Sequence, residues 1–239
     1  MTQPVSFRQQ SHDKERGAMR RLAAKGWQPS GVLDVGAYKG TWTHVLQSVW
    51  PGTPTLMIEA QPSLLPNLQA VASELGPNVG VVHGVVSAVH GQPVTFYTPE
   101  YAGGTTGASI YPEQLGIPLR TSVMTTTTLD ILARTWQGPA FNFIKLDIQG
   151  AEKDALMGAS DVLKTVELLQ LELSLVPYNR DAPQINELMA YLDGIGFVLY
   201  DLCDTHRGGD DTLYQMDTFF IRKDHWLRPG GTWMGARKG

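Results

Sequence analysis

The stretch Val32-Leu33-Asp34-Val35-Gly36-Ala37-Tyr38-Lys39-Gly40 constrains this chain more than any other. It opens as a short apolar strand with an acid near its end. Two glycines four positions apart make a turn, and a helical pattern starts at once. Strand, glycine turn and helix together have the shape of a nucleoside-cofactor loop at the end of the first strand of an open α/β sheet. The spacing departs from the dinucleotide fingerprint: Asp-x-Gly-x-x-x-Gly stands in place of Gly-x-Gly-x-x-Gly. A pyrophosphate needs the tight glycine turn and a free helix N-terminus. An acid and a wider loop suit a cofactor with no phosphate, an amino-acid end and a positive sulfur, for which S-adenosylmethionine is the candidate.

The rest of the chain supports an alternating α/β reading. Residues 12–25 read as a helix with Met19, Leu22 and Ala23 on one side and a solvated basic face of Arg16, Arg20, Arg21 and Lys25. After the first strand, Trp42, Val45, Leu46, Val49 and Trp50 recur at helical spacing, and the tryptophans are expected in the core. Further strands are expected at 55–58, at 79–82 with 85–86 as a third strand, at 94–97 as an extra one, then at 141–146, 166–173, 197–200 and 219–222. Helices are expected over 64–75, 151–164 and 183–193, and a short one runs from Asp130 towards Trp136. Between 98 and 124 the pattern breaks into a loop containing Gly103-Gly104, and 125–128 is strand-like. Short links between alternating strands and helices predict one doubly wound sheet. The expected divisions are an N-terminal helical segment at 1–30, one domain at 31–224 and a loose tail at 225–239.

Composition sets outer limits. With 239 residues and 42% hydrophobic content, one large α/β domain is expected. The net charge of -4 gives no basic face for phosphate, so no nucleic-acid partner is expected. The single cysteine, Cys203, excludes an internal disulfide and a multi-cysteine zinc site, and reads as a buried thiol. No apolar run reaches the length of a membrane span, and the first residues are polar. A soluble cytoplasmic protein with no membrane partner is therefore expected. The oligomeric state stays open, a homodimer included.

Several separated signatures occur in one order: Asp34 to Gly40, Ile58-Glu59-Ala60-Gln61-Pro62, Thr128-Leu129-Asp130, and Phe143-Ile144-Lys145-Leu146-Asp147-Ile148-Gln149-Gly150-Ala151-Glu152, with Leu171-Glu172 following. Together they resemble the FkbM family of S-adenosylmethionine-dependent methyltransferases, over about residues 32–222. The resemblance implies the class I, Rossmann-like methyltransferase fold: a seven-stranded, mostly parallel sheet whose last strand is antiparallel. It also implies methylation of a hydroxyl, on a sugar or a polyketide-type natural product. Two positions depart from the family: Ile58-Glu59-Ala60 stands where Phe-Glu-Pro is common, and Gln149 where an acid is common. The role of that acid does not transfer.

Within this frame each candidate residue has a chemical reason. Gly36 and Gly40, with Ala37 and Tyr38 between them, would bring backbone up to the methionine part of the cofactor. Asp34 would orient the loop and receive the cofactor's ammonium, directly or through water. Glu59, 25 residues later at the end of the second strand, can accept both ribose hydroxyls, with Ala60 beside it. Ser87 would lie near the adenine. Asp147, an acid at the C-terminal end of a buried strand, is the catalytic candidate and touches the cofactor too. Glu172, on the neighbouring strand in the order the family implies, would face the same crevice, and two such carboxylates would suit Mg²⁺. Glu152 opens a helix, where its charge also suits the helix dipole. Lys145 points away from Asp147 if the strand is regular. A hydroxyl acceptor needs a base, and His206, in a polar loop, is the candidate. Tyr178 would line the acceptor pocket, and the loop around Gly103 would close over it. Two other readings stay open: an NAD-dependent oxidoreductase, which the missing middle glycine opposes, and a cofactor-binding module without catalysis, which Gln149 keeps alive.

Overall fold

The computed structural model describes residues 7–100, 106–114 and 116–228. A seven-stranded sheet forms the centre, built from β1 (Val32–Val35), β2 (Thr55–Glu59), β3 (Val79–His83), β7 (Phe143–Leu146), β8 (Leu168–Ser174), β9 (Phe197–Arg207) and β10 (Leu213–Arg222). Its order is β3-β2-β1-β7-β8-β10-β9. The first five strands run parallel, and β10 is antiparallel to both β8 and β9. This is the α/β, class I methyltransferase sheet that the resemblance implies, with its antiparallel strand inserted between β8 and β9.

Burial on both faces explains the near-continuous apolar reading of the central strands. All of β1, β2 and β7 is buried. On one face α1 (Phe7–Ala24) and α2 (Thr41–Val49) pack Met19, Leu22, Trp42 and Leu46 against Phe143 and Phe219. Phe143 meets Trp27, Trp42 and Phe219 in edge-on contacts with ring centroids 5.6–6.1 Å apart. Trp42 and Trp50 are thus core residues, as expected. On the same sheet, α3 (Leu65–Leu75) buries Leu68 and Val71 against Met57 and Val79. The opposite face is covered by α4 (Leu129–Ala133), α5 (Glu152–Met157) and α6 (Ile185–Gly194) through Leu129, Leu132, Leu156, Leu188 and Leu192.

Four elements differ from the sequence expectation. Residues 79–86 do not make one strand: β4 (Val85–Val86) leaves the main sheet for a second one ordered β4-β6-β5, with β5 (Pro93–Pro99) and β6 (Leu119–Thr127). β6 therefore starts inside the expected loop. Most of its residues are exposed, so no apolar alternation marked it. The helix expected over 151–164 stops at Met157, because the Asp130 carboxylate accepts the N–H groups of Asp161 and Val162 (3.0 and 2.9 Å) and starts a separate 3₁₀ turn at Val162–Lys164. Finally, β9 extends through Cys203 to Arg207 with a bulge opposite Asp217–Thr218. The bulge breaks the two-residue alternation, which is why the sequence there reads as a loop. The glycines at 103 and 104 and the tail beyond 228 lie outside the described residues. No described helix is long and apolar enough to cross a membrane.

Candidate active site

Register fixes the site. Val35 pairs with both Ile58 and Leu146, so the loops leaving β1, β2 and β7 emerge side by side. The sheet order reverses at β1, and open α/β sheets bind ligands beyond the carboxyl ends of strands at such a point.

The β1 loop is shaped by its neighbours before any ligand is considered. Gly36 has φ 76°, and a Cβ on it would sit 2.1 Å from the carbonyl oxygen of Asp147. Glycine is needed there so that the β1 and β7 loops can touch. Gly40 has φ 75°, and its Cβ would strike Val71 of α3 at 2.9 Å. It lines neither cleft described below, so its expected role against the cofactor gives way to helix packing. Ala37 belongs to the apolar cluster of Met57 and Leu68 and also lines the second cleft. Asp34 is fully buried beneath the loop. It accepts the Thr43 hydroxyl at 2.6 Å and lies 3.3 Å from Lys145 Nζ. Direct contact between Asp34 and a ligand's ammonium is thereby corrected; the residue anchors the loop from below.

Lys145, expected to point away from Asp147, reaches it. Its Nζ lies 3.6 Å from Asp147 Oδ2 and donates to the Gly36 carbonyl at 3.1 Å. Burial works against its charge, but the carboxylates of Asp34 and Asp147 outweigh burial and hold the ammonium above its usual pKa. The long side chain ties the β1 loop to the β7 loop.

A first cleft of about 730 Å³, its open mouth included, runs past Gly36, Tyr38, Glu59, Ala60, Phe96 and Ile148. Glu59 is 5% exposed. It accepts the backbone N–H of Gln61 on Oε1 and that of Tyr38 on Oε2, both at 2.8 Å. Burial raises its pKa and the two N–H bonds oppose the rise. Each oxygen keeps a lone pair for a hydroxyl donor. Tyr38 has φ 49°, and its buried hydroxyl has no partner among the described residues. The cradle at Gly36, the orphan hydroxyl of Tyr38 and the acceptor pair on Glu59 fit the amino-acid and ribose parts of S-adenosylmethionine. Ser87 is corrected: it does not line the cleft, and its N–H is spent on the Thr127 carbonyl in the small sheet. Val85, Phe96 and the 106–110 segment line the cleft instead and were not anticipated. The alternation of β5 hinted at a strand, but nothing in the sequence said which way Phe96 would face.

A second, larger cleft opens beside the first, and the two meet at Gly36, Tyr38, Thr106 and Asp147. Its walls include His12, Glu15 and Arg16 of α1, with Glu172, His206 and Asp217 at the strand ends. His206 belongs to β9 rather than to a loop, and its Nε2 lies 2.8 Å from Asp217 Oδ2. The Asp217 partner raises the His206 pKa, while burial pushes Asp217 up to about 6. Asp217, which sequence reasoning missed, is an acid in β10 next to the apolar run Phe219-Phe220-Ile221. Asp147 and Glu172 do share the crevice, but Gln149 stands between them, its Nε2 donating to Asp147 Oδ1 and Glu172 Oε2 at 2.8 Å each. The donor set does not fit the expected Mg²⁺, because a carboxamide N–H already bridges the two oxygens a cation would take. Glu172, His206 and Asp217 also bring one ligand atom each within 4.8 Å of one another, and there His206 Nε2 lies 2.8 Å from Asp217 Oδ2. Tyr178 does not line either cleft: its hydroxyl bonds Glu113, and it lines a small recess with Asn179 and Ala182 that shares Glu172 with the second cleft. Glu152 is buried and holds the β7 loop, accepting the N–H groups of Ile148 and Gly150 at 3.1 and 3.2 Å.

The family profile described as methyltransferase FkbM domain matches residues 34–199. Among solved structures, the N-terminal domain of EvdMO1, determined with S-adenosylhomocysteine and D-fucose, is similar with a TM-score of 0.52 at 12% identity, covering 91% of this chain and 84% of that one. A second EvdMO1 structure aligns at TM-score 0.50 and 13% identity over 93% of this chain, which spans only 43% of that chain. Cofactor-bound Rv0187 from MTB aligns at TM-score 0.51 and 12% identity, over 94% of this chain and 84% of that one. These likenesses show the fold. No curated protein is significantly similar in sequence.

Proposed function

The chain belongs to the FkbM methyltransferase family and is an S-adenosylmethionine-dependent methyltransferase; on that premise we propose that it methylates a hydroxyl of a sugar or sugar-bearing small molecule. The meeting of a cofactor-shaped cleft with an open polar cleft at Asp147 carries this reading. In-line methyl transfer needs donor and acceptor held end to end, and positioning of that kind supplies up to about 7–11 kcal/mol. Bound S-adenosylmethionine supplies an electrophilic methyl carbon on a positive sulfur.

The chain's own residues do the rest. The 36–38 backbone cradles the methionine portion. Glu59 accepts the ribose hydroxyls, and Ala60, Phe96 and Ile148 enclose the base. Asp147, half-exposed where the clefts join, orients the acceptor hydroxyl. His206 would take the proton of that hydroxyl, and Asp217 would carry the charge of the imidazolium so formed. The polar walls of the second cleft suit a polyhydroxylated acceptor, and D-fucose in the EvdMO1 domain supports that class.

The test is a mass-shift screen with trideuteromethyl-labelled cofactor against a panel of hexoses, deoxyhexoses and glycosides. A sugar product is expected from the wild type. His206→Ala should lower kcat by roughly 10²-fold or more while S-adenosylhomocysteine affinity, read by calorimetry, stays. Methyl incorporation only into amines or nucleic acid would refute the acceptor class, and near wild-type turnover in His206→Ala would refute the base.

A further inference from the structure

Gln149 stands on a turn just beyond β7 and lines the cofactor cleft. Its backbone has φ 56°, in the left-handed region where a glutamine is strained. Two neighbours hold it there. Gly150 follows at φ 96°, and the buried Glu152 takes the N–H groups on both sides of Gln149. The effect of this turn is to fold the side chain back over the strand ends, where one nitrogen lies 2.8 Å from a carboxylate oxygen of β8 and 2.8 Å from that of Asp147. A carboxamide –NH₂ has two N–H donors, and both are used.

The neighbourhood explains why a bridge is needed. Asp217 pairs in register with Glu172, and Glu172 flanks Asp147, so three carboxylates from adjacent strands line one wall of the acceptor cleft. Carboxylates placed directly opposite each other repel. Lys145 is committed to Asp34, Asp147 and the Gly36 carbonyl, and His206 to Asp217. Gln149 bridges the remaining pair. We propose that the Gln149 carboxamide takes the place of a bridging cation, setting Asp147 and Glu172 through its two N–H bonds, and that methyl transfer at this site therefore needs no divalent ion. The proposal rests on the methyltransferase reading above. Burial and then the Asp147 charge push Glu172 well above the usual carboxylate range.

Mn²⁺ titrated into the full chain, with free ion followed by electron paramagnetic resonance, tests this without needing an acceptor. The wild type is expected to show no stoichiometric site. Gln149→Glu, which puts a third carboxylate at the same point, should bind Mn²⁺ at least about tenfold more tightly, since charge count tunes such sites, and Glu172→Gln in that background should abolish the gain. Calorimetry with S-adenosylhomocysteine shows separately that each variant is folded and holds cofactor, so failure of the proposal is distinct from failure of the methyltransferase reading. With an acceptor from the mass-shift screen, EDTA should leave the wild-type rate unchanged. A tight wild-type Mn²⁺ site that Glu172→Gln removes, no gain in Gln149→Glu, or an EDTA-inhibited rate that Mg²⁺ restores would each overturn it.

Discussion

Single buried polar residues decide how the loops around this site stand. Glu152 is the clearest case. It is 3% exposed, and burial raises its pKa from 4.5 to about 7. An acid whose pKa rises on folding binds its proton more tightly in the folded chain. Its contribution to stability is fully present below pH 4.5 and is lost as pH rises through about 7. Glu152→Gln keeps an oxygen for the Ile148 and Gly150 N–H groups and has no charge to bury. It should match the wild type at pH 4.5 and exceed it at pH 8 by on the order of 1–3 kcal/mol in urea denaturation; a difference independent of pH would refute the argument. The sequence marked Glu152 only as a helix-opening acid. Its role depends on a loop whose shape comes from Gly36 touching Asp147, a contact between residues 111 positions apart in the chain. Asp34 illustrates the same point: the motif was legible, but which side of the loop the acid served was not.

Elements bring distant residues to the acceptor cleft. α1 does most here, because it carries His12, Glu15 and Arg16 to the cleft wall. It is held by Met19 and Leu22 in the core, by Lys14–Asp204 at 2.5 Å and by Arg21–Asp201 at 2.8 Å. Glu15 accepts from Gln170 of β8 at 2.9 Å, and Gln170 in turn accepts the Trp42 indole N–H at 3.1 Å. The helix and its apolar side were readable from spacing. Its basic face was expected to be solvated, and Arg20, Arg21 and Lys25 are exposed; Arg21 and Lys25 also reach Asp201 and Tyr200 of β9. Met19→Ala should cost about 2–4 kcal/mol in urea denaturation. It should weaken acceptor binding, read as a raised KM, more than S-adenosylhomocysteine affinity, because no described residue of α1 lines the cofactor cleft. Equal loss of both would show that α1 is only a structural brace.

At the scale of the whole molecule, cofactor binding should be visible as stability. A ligand present at a hundred times its Kd adds about 2.7 kcal/mol, which for a chain of this size raises Tm by roughly 5–10 °C. S-adenosylhomocysteine should produce that shift in a thermal melt and NADH none; the reverse would favour the oxidoreductase reading. The sequence by itself determined the sheet, the cofactor loop and the family, because those rest on local signals: apolar strands buried on both faces, a glycine turn, and an acid at a strand end. Tertiary structure alone decided what those signals meant for chemistry. It put Ser87 beside the small sheet and Tyr178 in a recess adjoining the second cleft, turned the loop around His206 into a bulged strand opposite Asp217, and seated Gln149 between two carboxylates. Each outcome depends on register between strands far apart in the chain, and register is set by the packing of the whole sheet rather than by any window of sequence.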